Sequence, residues 1–310
     1  MRDQVVAGID IGGTNLRIGL VNPEGILSAS QRVSSQSVLA GDTPMEALAE
    51  FLVGYLKESL TDEQELVAIS IGFPSTVDAD RRKVISTSNI PHLHDVDVAA
   101  ALSMFGVPVL IDRDVNMLLR HDSSRLGLNA TPGVVFGCYL GTGLGSAFAV
   151  DGKILVGRHG VAGELGHIPF PGVDAVCGCG NIGCSEAVAS GKALRRQLKA
   201  VHPDVPISEV FTRCAPAPFV RQWLDYVAAA MASAINILDP AAVIVGGGVT
   251  QTAGFPRKEL EAAVFRMARK PMPAEDLTLY YAKPGHHNGV LGAALYAFDE
   301  SSRLCVSPAN

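Results

Sequence analysis

Residues 5–21 read VVAGIDIGGTNLRIGLV, two runs of β-forming residues on either side of a Gly-Gly-Thr turn. Two such runs separated by a glycine-rich turn predict a β-hairpin. Residues 134–150, VVFGCYLGTGLGSAFAV, repeat this pattern. When the two stretches are aligned, identical residues coincide: Val5 with Val134, Val6 with Val135, Gly8 with Gly137 and Gly12 with Gly141. The sequence therefore predicts an internal duplication, with one glycine turn opening each half.

The rest of the chain alternates strand-like and helix-like segments, which predicts an α/β fold. A chain of 310 residues is too long for one ordinary hydrophobic core, so two lobes are expected. No linker composition marks a boundary, and the duplication alone places it near Asp114. We expect a first lobe over residues 1–114, completed by a C-terminal helix over 289–310, and a second lobe over 115–288.

Composition and charge exclude several classes of protein. The net charge is −6 and no stripe of Lys or Arg appears, so nucleic acid is not an expected partner. No apolar run is long enough to cross a bilayer, and no signal-peptide pattern follows Met1. We expect a cytoplasmic protein whose partners are small molecules and not a membrane.

The two glycine turns are candidate phosphate-binding loops. Consecutive glycines allow several backbone N–H groups to point at one phosphate, as in Gly12–Asn15 and Gly141–Gly143. Asp10 precedes the first turn and is placed to hold Mg²⁺ through water. Gly246-Gly247-Gly248 follows a strand and would let a flat ring approach the backbone. A glycine-rich hairpin loop with no ligand would explain any one of these motifs alone.

Asp114 is the candidate general base. It follows the strand-like run Val107–Ile111, and ligands of open α/β sheets collect beyond the carboxyl ends of strands. A carboxylate there can accept the proton of a hydroxyl as that oxygen attacks a phosphate. The alternative is that Asp114 only caps the helix that begins beside it. Asp112 is expected to be a supporting or capping acid.

A third motif predicts a metal site. Cys177, Cys179 and Cys184 are interleaved with glycines and follow His167. Three thiolates and one imidazole form a tetrahedral set that structural zinc prefers, with no coordination position left for catalysis. Glu164 and Glu186 flank the cluster and could bind the hydroxyls of a ligand if the zinc loop lines a cleft.

These motifs together resemble the ROK family of sugar kinases and repressors. The resemblance rests on Gly8–Asn15, Leu140–Gly145, Gly160–His167 and Cys177–Glu186, and extends to Gly292. It implies a two-lobed actin/hexokinase-like (ribonuclease H-like) ATPase fold with ATP in an interdomain cleft, and a homodimer. It also implies a reaction, the phosphorylation of a free hexose by ATP.

Position by position, the resemblance assigns roles to individual residues. The family's catalytic aspartate falls on Asp114. Sugar contacts are implied for Ser75, Asn89, Arg113, Asp114, Glu164, His167 and Glu186. Contacts to ATP and its Mg²⁺ are implied for Gly8, Asp10, Gly12, Gly13, Thr14, Asn15, Gly141, Thr142, Gly143, Gly145, Gly246, Gly247 and Gly248. Zinc ligands are implied at His167, Cys177, Cys179 and Cys184.

Two positions depart from the family pattern. Arg113 stands where the family usually has Asn, and Ser75 stands where it usually has Gly. With these departures, residues 72–74, 85–91 and 255–257 are most similar to family members that phosphorylate D-allose. Arg113 is accordingly predicted to help select the stereochemistry of the sugar hydroxyls. Glucose, fructose and N-acylhexosamines remain alternative substrates.

Two other classes of protein share parts of this pattern, and a sugar-responsive transcription repressor that lacks its DNA-binding domain is kept as an alternative. A sugar-responsive repressor needs a helix-turn-helix ahead of its sugar-binding part, and Asp10 stands too early to leave room for one. A non-catalytic sugar sensor would be expected to lack the acid or one glycine turn, and both are present.

Overall fold

The computed structural model describes residues 2–39, 41–87, 90 and 92–306, with side chains as far as Ser301. Asn89, a predicted sugar contact, lies outside these residues. The chain forms two compact units. The first comprises the chain up to Arg125, the segment Val156–Ala162 and the chain from Gly285 onward. The second comprises Leu126–Leu155 and Gly163–Pro284.

The first unit contains a main sheet and a small one. Its strands are β1 (Asp3–Ile11), β2 (Asn15–Val21), β3 (Leu27–Ser34), β4 (Gln64–Phe73), β5 (Thr76–Val77), β6 (Lys83–Ser86), β7 (Val96–Asp97) and β8 (Val109–Arg113). The main sheet has the order β3-β2-β1-β4-β8 and the small sheet the order β5-β6-β7. The strands β1 and β2 form the predicted antiparallel hairpin, while β1, β4 and β8 run parallel.

The second unit contains one sheet. Its strands are β9 (Val134–Leu140), β10 (Leu144–Val150), β11 (Lys153–Ile154), β12 (Ala242–Gly246) and β13 (Leu279–Tyr281). They have the order β11-β10-β9-β12-β13, in which β9 and β10 form the second predicted hairpin. The strands β12 and β13 run parallel to β9. Because both main sheets join an antiparallel meander to two further parallel strands, the predicted duplication is confirmed.

The helices are α1 (Ser35–Leu39), α2 (Pro44–Ser59), α3 (Val98–Ala101), α4 (Asp114–Arg125), α5 (Glu186–Ala189), α6 (Gly191–Val201), α7 (Val210–Arg213), α8 (Pro218–Leu238), α9 (Arg257–Met267) and α10 (Asn288–Val306). Short 3-10 helices lie at Ser103–Phe105, Leu165–His167, Ile207–Glu209 and Gly248–Gln251. Within the described part of the chain, no helix combines the length and apolar character that a membrane crossing needs.

Alternation along β1 explains how the first unit buries both faces of its sheet. Ile9 and its odd-numbered neighbours pack in a core with Leu48 and Leu52 of α2. Val6 points to the other face and packs with Val290 of α10. Gly8 lies on this second face, where a side chain would overlap the carbonyl of Val290. The nucleotide contact implied for Gly8 remains a prediction, and the structure gives this glycine a packing role.

The first unit continues past the predicted boundary at Asp114. Helix α4 packs on α10 and on β4, and all three belong to the first unit. Gly292 of α10 lies against the carbonyl of Met117 of α4, which leaves no room for a β-carbon. This close approach holds α4 in the first unit, so the unit runs to Arg125. The first unit also takes in Val156–Ala162, which the duplication alone did not indicate.

Candidate functional site

The first glycine turn is fixed from behind by its own backbone and by Ser35. The N–H of Gly12 donates to the carbonyl of Asn15 (2.9 Å), and the hydroxyl of Ser35 donates to the carbonyl of Gly12 (2.6 Å). The N–H of Ser35 donates to the carbonyl of Thr14 (3.0 Å). Gly13 and Thr14 are exposed. Hydrogen bonds therefore hold the turn in place while its tip stays exposed, an arrangement that can bind an anion.

Asp10 stands at the end of β1, directly across the hairpin from Arg17. The Nη1 atom of Arg17 lies 3.2 Å from Oδ2 of Asp10. Burial raises the pKa of Asp10, and the guanidinium of Arg17 acts in the opposite direction. Gly289 of α10 leaves room for this carboxylate, because a β-carbon there would overlap it. A carboxylate oxygen beside the turn is a donor that suits Mg²⁺.

Three parallel strands of the first unit place Asp10, Asp112 and Asp114 at one edge of the main sheet. The register aligns Asp10 of β1 with Gly72 of β4, and Gly72 with Asp112 of β8. Asp114 follows at the start of α4, and its Oδ1 accepts the N–H of Val115 (2.8 Å). A β-carbon on Gly72 would lie 3.3 Å from the Cα of Asp114. Asp114 therefore stands at the sheet edge that carries Asp10 and the first glycine turn.

Asp112 and Arg113 are both buried and engaged with other groups. Oδ1 of Asp112 accepts the backbone N–H of Arg113 (2.8 Å) and the amide of Asn116 (2.7 Å). Nη1 of Arg113 donates to the carbonyl of Ala162 (2.6 Å). Asp112 is therefore the supporting acid that the sequence predicts. The buried hydroxyl of Ser75 has no hydrogen-bond partner among the described residues, so it could bond to a ligand.

The second glycine turn is held by the start of α6 and by Glu186. The N–H groups of Gly191 and Lys192 donate to the carbonyls of Gly141 and Thr142 (3.0 Å each). The N–H of Leu144 donates to Oε2 of Glu186 (2.9 Å). A β-carbon at Gly143 would overlap the carboxylate of Glu186. The resemblance implies a sugar contact for Glu186, and in the structure this residue also stabilises the turn.

Gly143→Ala and Gly141→Ala should have different effects. At Gly143 the new methyl group displaces the carboxylate of Glu186, and we expect the free energy of unfolding to fall by about 1–3 kcal/mol. At Gly141 a β-carbon would have nothing within 4 Å, so stability should be retained. Urea unfolding of both variants measures the difference.

The same pair of variants tests phosphate binding. If the turn holds ATP, Gly141→Ala should raise the KM for ATP while the urea midpoint stays that of the parent protein. An unchanged KM in Gly141→Ala would count against a nucleotide at this turn. Equal loss of stability in the two variants would count against the contact between Gly143 and Glu186.

The third glycine motif divides into packing and open positions. A β-carbon on Gly246 would press on the ring of Tyr139, and one on Gly247 would overlap the backbone of Leu140. Gly247 also has φ of +92°, in the left-handed region. Only Gly248, which is exposed, has open space at this position. Gly246 and Gly247 therefore have packing roles, and the nucleotide contact implied for the three glycines remains a prediction.

The predicted zinc ligands come together in the second unit. One ligand atom from each of His167, Cys177, Cys179 and Cys184 lies within 4.8 Å of the others. Sγ of Cys177 is 3.6 Å from Nδ1 of His167, and the sulfurs of Cys179 and Cys184 are 3.7 Å apart. Tetrahedral zinc with ordinary bond lengths places two sulfurs about 3.8 Å apart and sulfur and nitrogen about 3.5 Å apart. The donor set and its spacing fit zinc.

The zinc loop is connected to the second glycine turn. The hydroxyl of Ser185, next to Cys184, donates to the carbonyl of Leu165 (2.7 Å). Glu186 follows and accepts the N–H of Leu144, as described above. The Nε2 atom of His167 faces Glu164, whose Oε2 is 3.5 Å away. The second unit therefore brings Glu164, His167 and Glu186 into one neighbourhood around the start of β10.

The family model of the ROK family matches residues 6–300. This chain belongs to the ROK family. It is 30% identical over 270 residues to the glucokinase of Thermotoga maritima, covering 79% of this chain and 82% of that protein. It is 29% identical over 313 residues to an N-acetyl-D-glucosamine kinase of Yersinia pseudotuberculosis, covering 93% of this chain and 97% of that protein.

A solved ROK structure confirms the fold. The ROK family glucokinase of Streptomyces griseus, crystallised with glucose and AMPPNP, superposes with a TM-score of 0.80 at 26% sequence identity. The match covers 95% of this chain and 99% of that chain. The predicted α/β fold of the actin/hexokinase type is therefore confirmed.

Some groups around the ROK motifs were not identified from the sequence. Arg17 is one that the hairpin prediction could have found, because the register of a short hairpin pairs it with Asp10. Arg81, which pairs with Asp112 (3.1 Å), and Lys192 carry no such signal. Their contacts join segments far apart in the sequence, and no short motif records them.

Proposed function

We propose that this protein is an ATP-dependent sugar kinase that transfers a phosphoryl group to the 6-hydroxyl of a free hexose. The observation that carries the proposal is the position of Asp114 at the sheet edge that also carries Asp10 and the first glycine turn. An acid and a phosphate loop at one edge are the parts that phosphoryl transfer to an alcohol needs. The sugar kinases among the relatives support the same reaction.

Asp114 acts as the general base in this proposal. The 6-oxygen of the sugar attacks the γ-phosphorus of ATP, and its proton passes to the carboxylate of Asp114. The bond from the γ-phosphorus to the bridging oxygen breaks, and ADP leaves with that oxygen. Because Asp114 is partly exposed at the start of α4, its carboxylate can be reached by a substrate.

The glycine turns bind the nucleotide. The exposed tip at Gly13 and Thr14 and the turn at Gly141–Gly143 supply backbone donors for phosphate oxygens. Asn15 and Gly145 adjoin these tips, and Gly248 offers open space for the adenosine part. Mg²⁺, when bound, neutralises charge on the phosphates, and Asp10 is the residue that would hold it through water.

Several polar side chains are the proposed sugar contacts. Glu164, His167 and Glu186 supply partners for sugar hydroxyls, and Ser75 offers a buried hydroxyl that has no partner among the described residues. His167, Cys177, Cys179 and Cys184 would hold structural zinc, and the metal, when bound, would fix the loop that carries these groups. We further propose a homodimer, which the family resemblance implies, and a cytoplasmic location, which the sequence pattern favours.

We propose D-allose as the preferred hexose. The support is the sequence around the base, where Asp112-Arg113-Asp114 and Ser75 depart from the usual family pattern. A second candidate is glucose or N-acetylglucosamine, which is favoured by the relatives that act on those sugars.

A hexose panel tests this proposal. At saturating Mg-ATP, the kcat/KM for the sugar should be higher with D-allose than with D-glucose, D-fructose or N-acetyl-D-glucosamine. Mass spectrometry and ³¹P NMR should identify a 6-phosphate as the product. The matched control is 6-deoxy-D-allose, which lacks the attacking oxygen and should give ADP only at the rate without sugar.

The outcomes separate the two levels of the proposal. If D-glucose or N-acetylglucosamine gives the highest kcat/KM, allose preference is rejected and the sugar kinase remains. If no hexose raises ADP formation above the rate without sugar, the kinase is rejected. Turnover of the 6-deoxy sugar would reject the 6-hydroxyl as the acceptor.

A further inference from the structure

The segment Val156–Ala162 belongs to the first unit, although the chain on both sides of it belongs to the second. We call it the inserted segment. Its ends are close together, because the N–H of Ala162 donates to the carbonyl of Val156 (3.1 Å). The chain leaves it at Gly163 and reaches Glu164, a proposed sugar contact, one residue later.

Gly160 lets the inserted segment pack against the small sheet. It is buried, with φ of +78°, and a β-carbon there would overlap the carbonyls of Val77 and Asp78. A left-handed backbone and lack of space both require glycine at this position. The segment is therefore seated against the β5–β6 hairpin, which carries Arg81 at its turn.

Two arginines hold the main chain of the inserted segment. Nη1 of Arg113 donates to the carbonyl of Ala162 (2.6 Å), and Nη1 of Arg81 donates to the carbonyl of Gly160 (3.5 Å). Arg113 is only 6% exposed. Arg81 has φ of +56°, a backbone conformation that non-glycine residues adopt at a cost. Both guanidinium groups therefore act as fixed supports for main-chain oxygens.

Asp112 pairs with the side chain of Arg81 and bonds to the backbone of Arg113. Its Oδ1 lies 3.1 Å from Nη1 of Arg81 and accepts the backbone N–H of Arg113 (2.8 Å). Asp112 is 1% exposed, and Oδ2 lies 3.6 Å from Nη2 of Arg120. Because the carboxylate of Asp112 is buried, removing one of its hydrogen-bond donors leaves a carboxylate oxygen unsatisfied. Asp112, two residues before the proposed base, therefore contacts the guanidinium of Arg81 and the main chain of Arg113.

We propose that Arg113 is a positioning residue for sugar binding, one that fixes Ala162 two residues before Glu164, with Arg81 as a second support. This inference rests on the proposed function for its effect on the sugar, but not for the contact itself. It differs from the role that family resemblance implies for Arg113, which is direct selection among sugar hydroxyls.

The two roles of Arg113 predict different kinetics. A guanidinium that contacts one sugar hydroxyl favours one epimer, so its loss changes the ratio of kcat/KM between epimers. A guanidinium that fixes Ala162 acts on every hexose through Glu164, so its loss raises the KM for all of them by a similar factor. ATP does not depend on Glu164, and its KM should stay nearly constant.

Arg113→Met and Arg113→Lys test the proposal in the full-length, zinc-loaded protein. Hydrogen exchange by mass spectrometry should show faster exchange across residues 156–162 in Arg113→Met. The KM values for D-allose and D-glucose should rise together by about 10-fold, as expected for one lost hydrogen bond to a charged donor. Arg113→Lys keeps the charge and one donor, and should recover part of both effects.

Arg81→Met and Arg82→Met form a second, matched pair. Arg82 is the next residue, and its Nη2 pairs with exposed Asp97 at 3.2 Å and not with the inserted segment. Exchange across 156–162 should rise in Arg81→Met and stay unchanged in Arg82→Met. Unchanged exchange in both Arg113→Met and Arg81→Met, or a KM change confined to one epimer, overturns the proposal. Because exchange is measured without sugar, it remains decisive even if the protein phosphorylates no hexose.

Discussion

Asp114→Asn should lower kcat by about 10²- to 10⁴-fold at saturating ATP and hexose, the usual contribution of a general base. Asparagine is nearly the same size and keeps an oxygen that can accept the N–H of Val115, as Oδ1 of Asp114 does at 2.8 Å. It cannot accept a proton from the sugar. The KM values and the unfolding midpoint should therefore change little, and steady-state kinetics with a thermal melt measure both.

Asp112→Asn is the matched comparison for this variant. The same chemical change two residues earlier removes the charge that faces Arg81 and Arg120 in a buried site. Breaking a buried ion pair costs about 3–5 kcal/mol, so the main effect of Asp112→Asn should be a loss of stability, in contrast to Asp114→Asn. Near-normal turnover by Asp114→Asn would show that another group takes the proton.

Loss of zinc should lower kcat/KM for the hexose by about 100-fold or more, equal to about 2.7 kcal/mol. The reason is the pair of residues that follows the proposed ligand Cys184. The hydroxyl of Ser185 donates to the carbonyl of Leu165, and the carboxylate of Glu186 accepts the N–H of Leu144. Without the metal, Cys184 no longer fixes the segment that makes both contacts. Removal by a chelator, or Cys179→Ser, should have the same effect, with zinc measured by inductively coupled plasma mass spectrometry.

Cys214→Ser is the control for the zinc prediction. Cys214 is a free thiol that lies outside the cluster of proposed ligands and is buried, whereas Cys179 is exposed. This variant should keep one zinc per chain and most of its activity. If the purified protein contains no zinc and is fully active, the structural role of the metal is rejected.

Local sequence patterns predict much of this molecule. The hairpins follow from β-forming runs around glycine turns, and the close spacing of Cys177, Cys179 and Cys184 predicts a cluster that the structure forms. The α/β class follows from the alternation of strands and helices. In these cases the deciding interactions lie within a few residues of one another.

Other features depend on contacts between distant segments. The bond from Leu144 to Glu186 spans 42 residues, and that from Arg113 to Ala162 spans 49. Neither pairing has a periodic or motif signature, since each depends on how the completed sheet brings loops together. For the same reason, the sequence did not show that Gly246 and Gly247 pack against Tyr139 and Leu140.

The packing of α10 has a consequence for synthesis on the ribosome. The face of the first sheet that carries Val6 and Ala68 is covered by Val290 and Ala294, which are translated after the second unit. That apolar surface must stay uncovered while the whole second unit emerges, at about 5–20 residues per second. During this interval the nascent chain offers a natural surface for a chaperone.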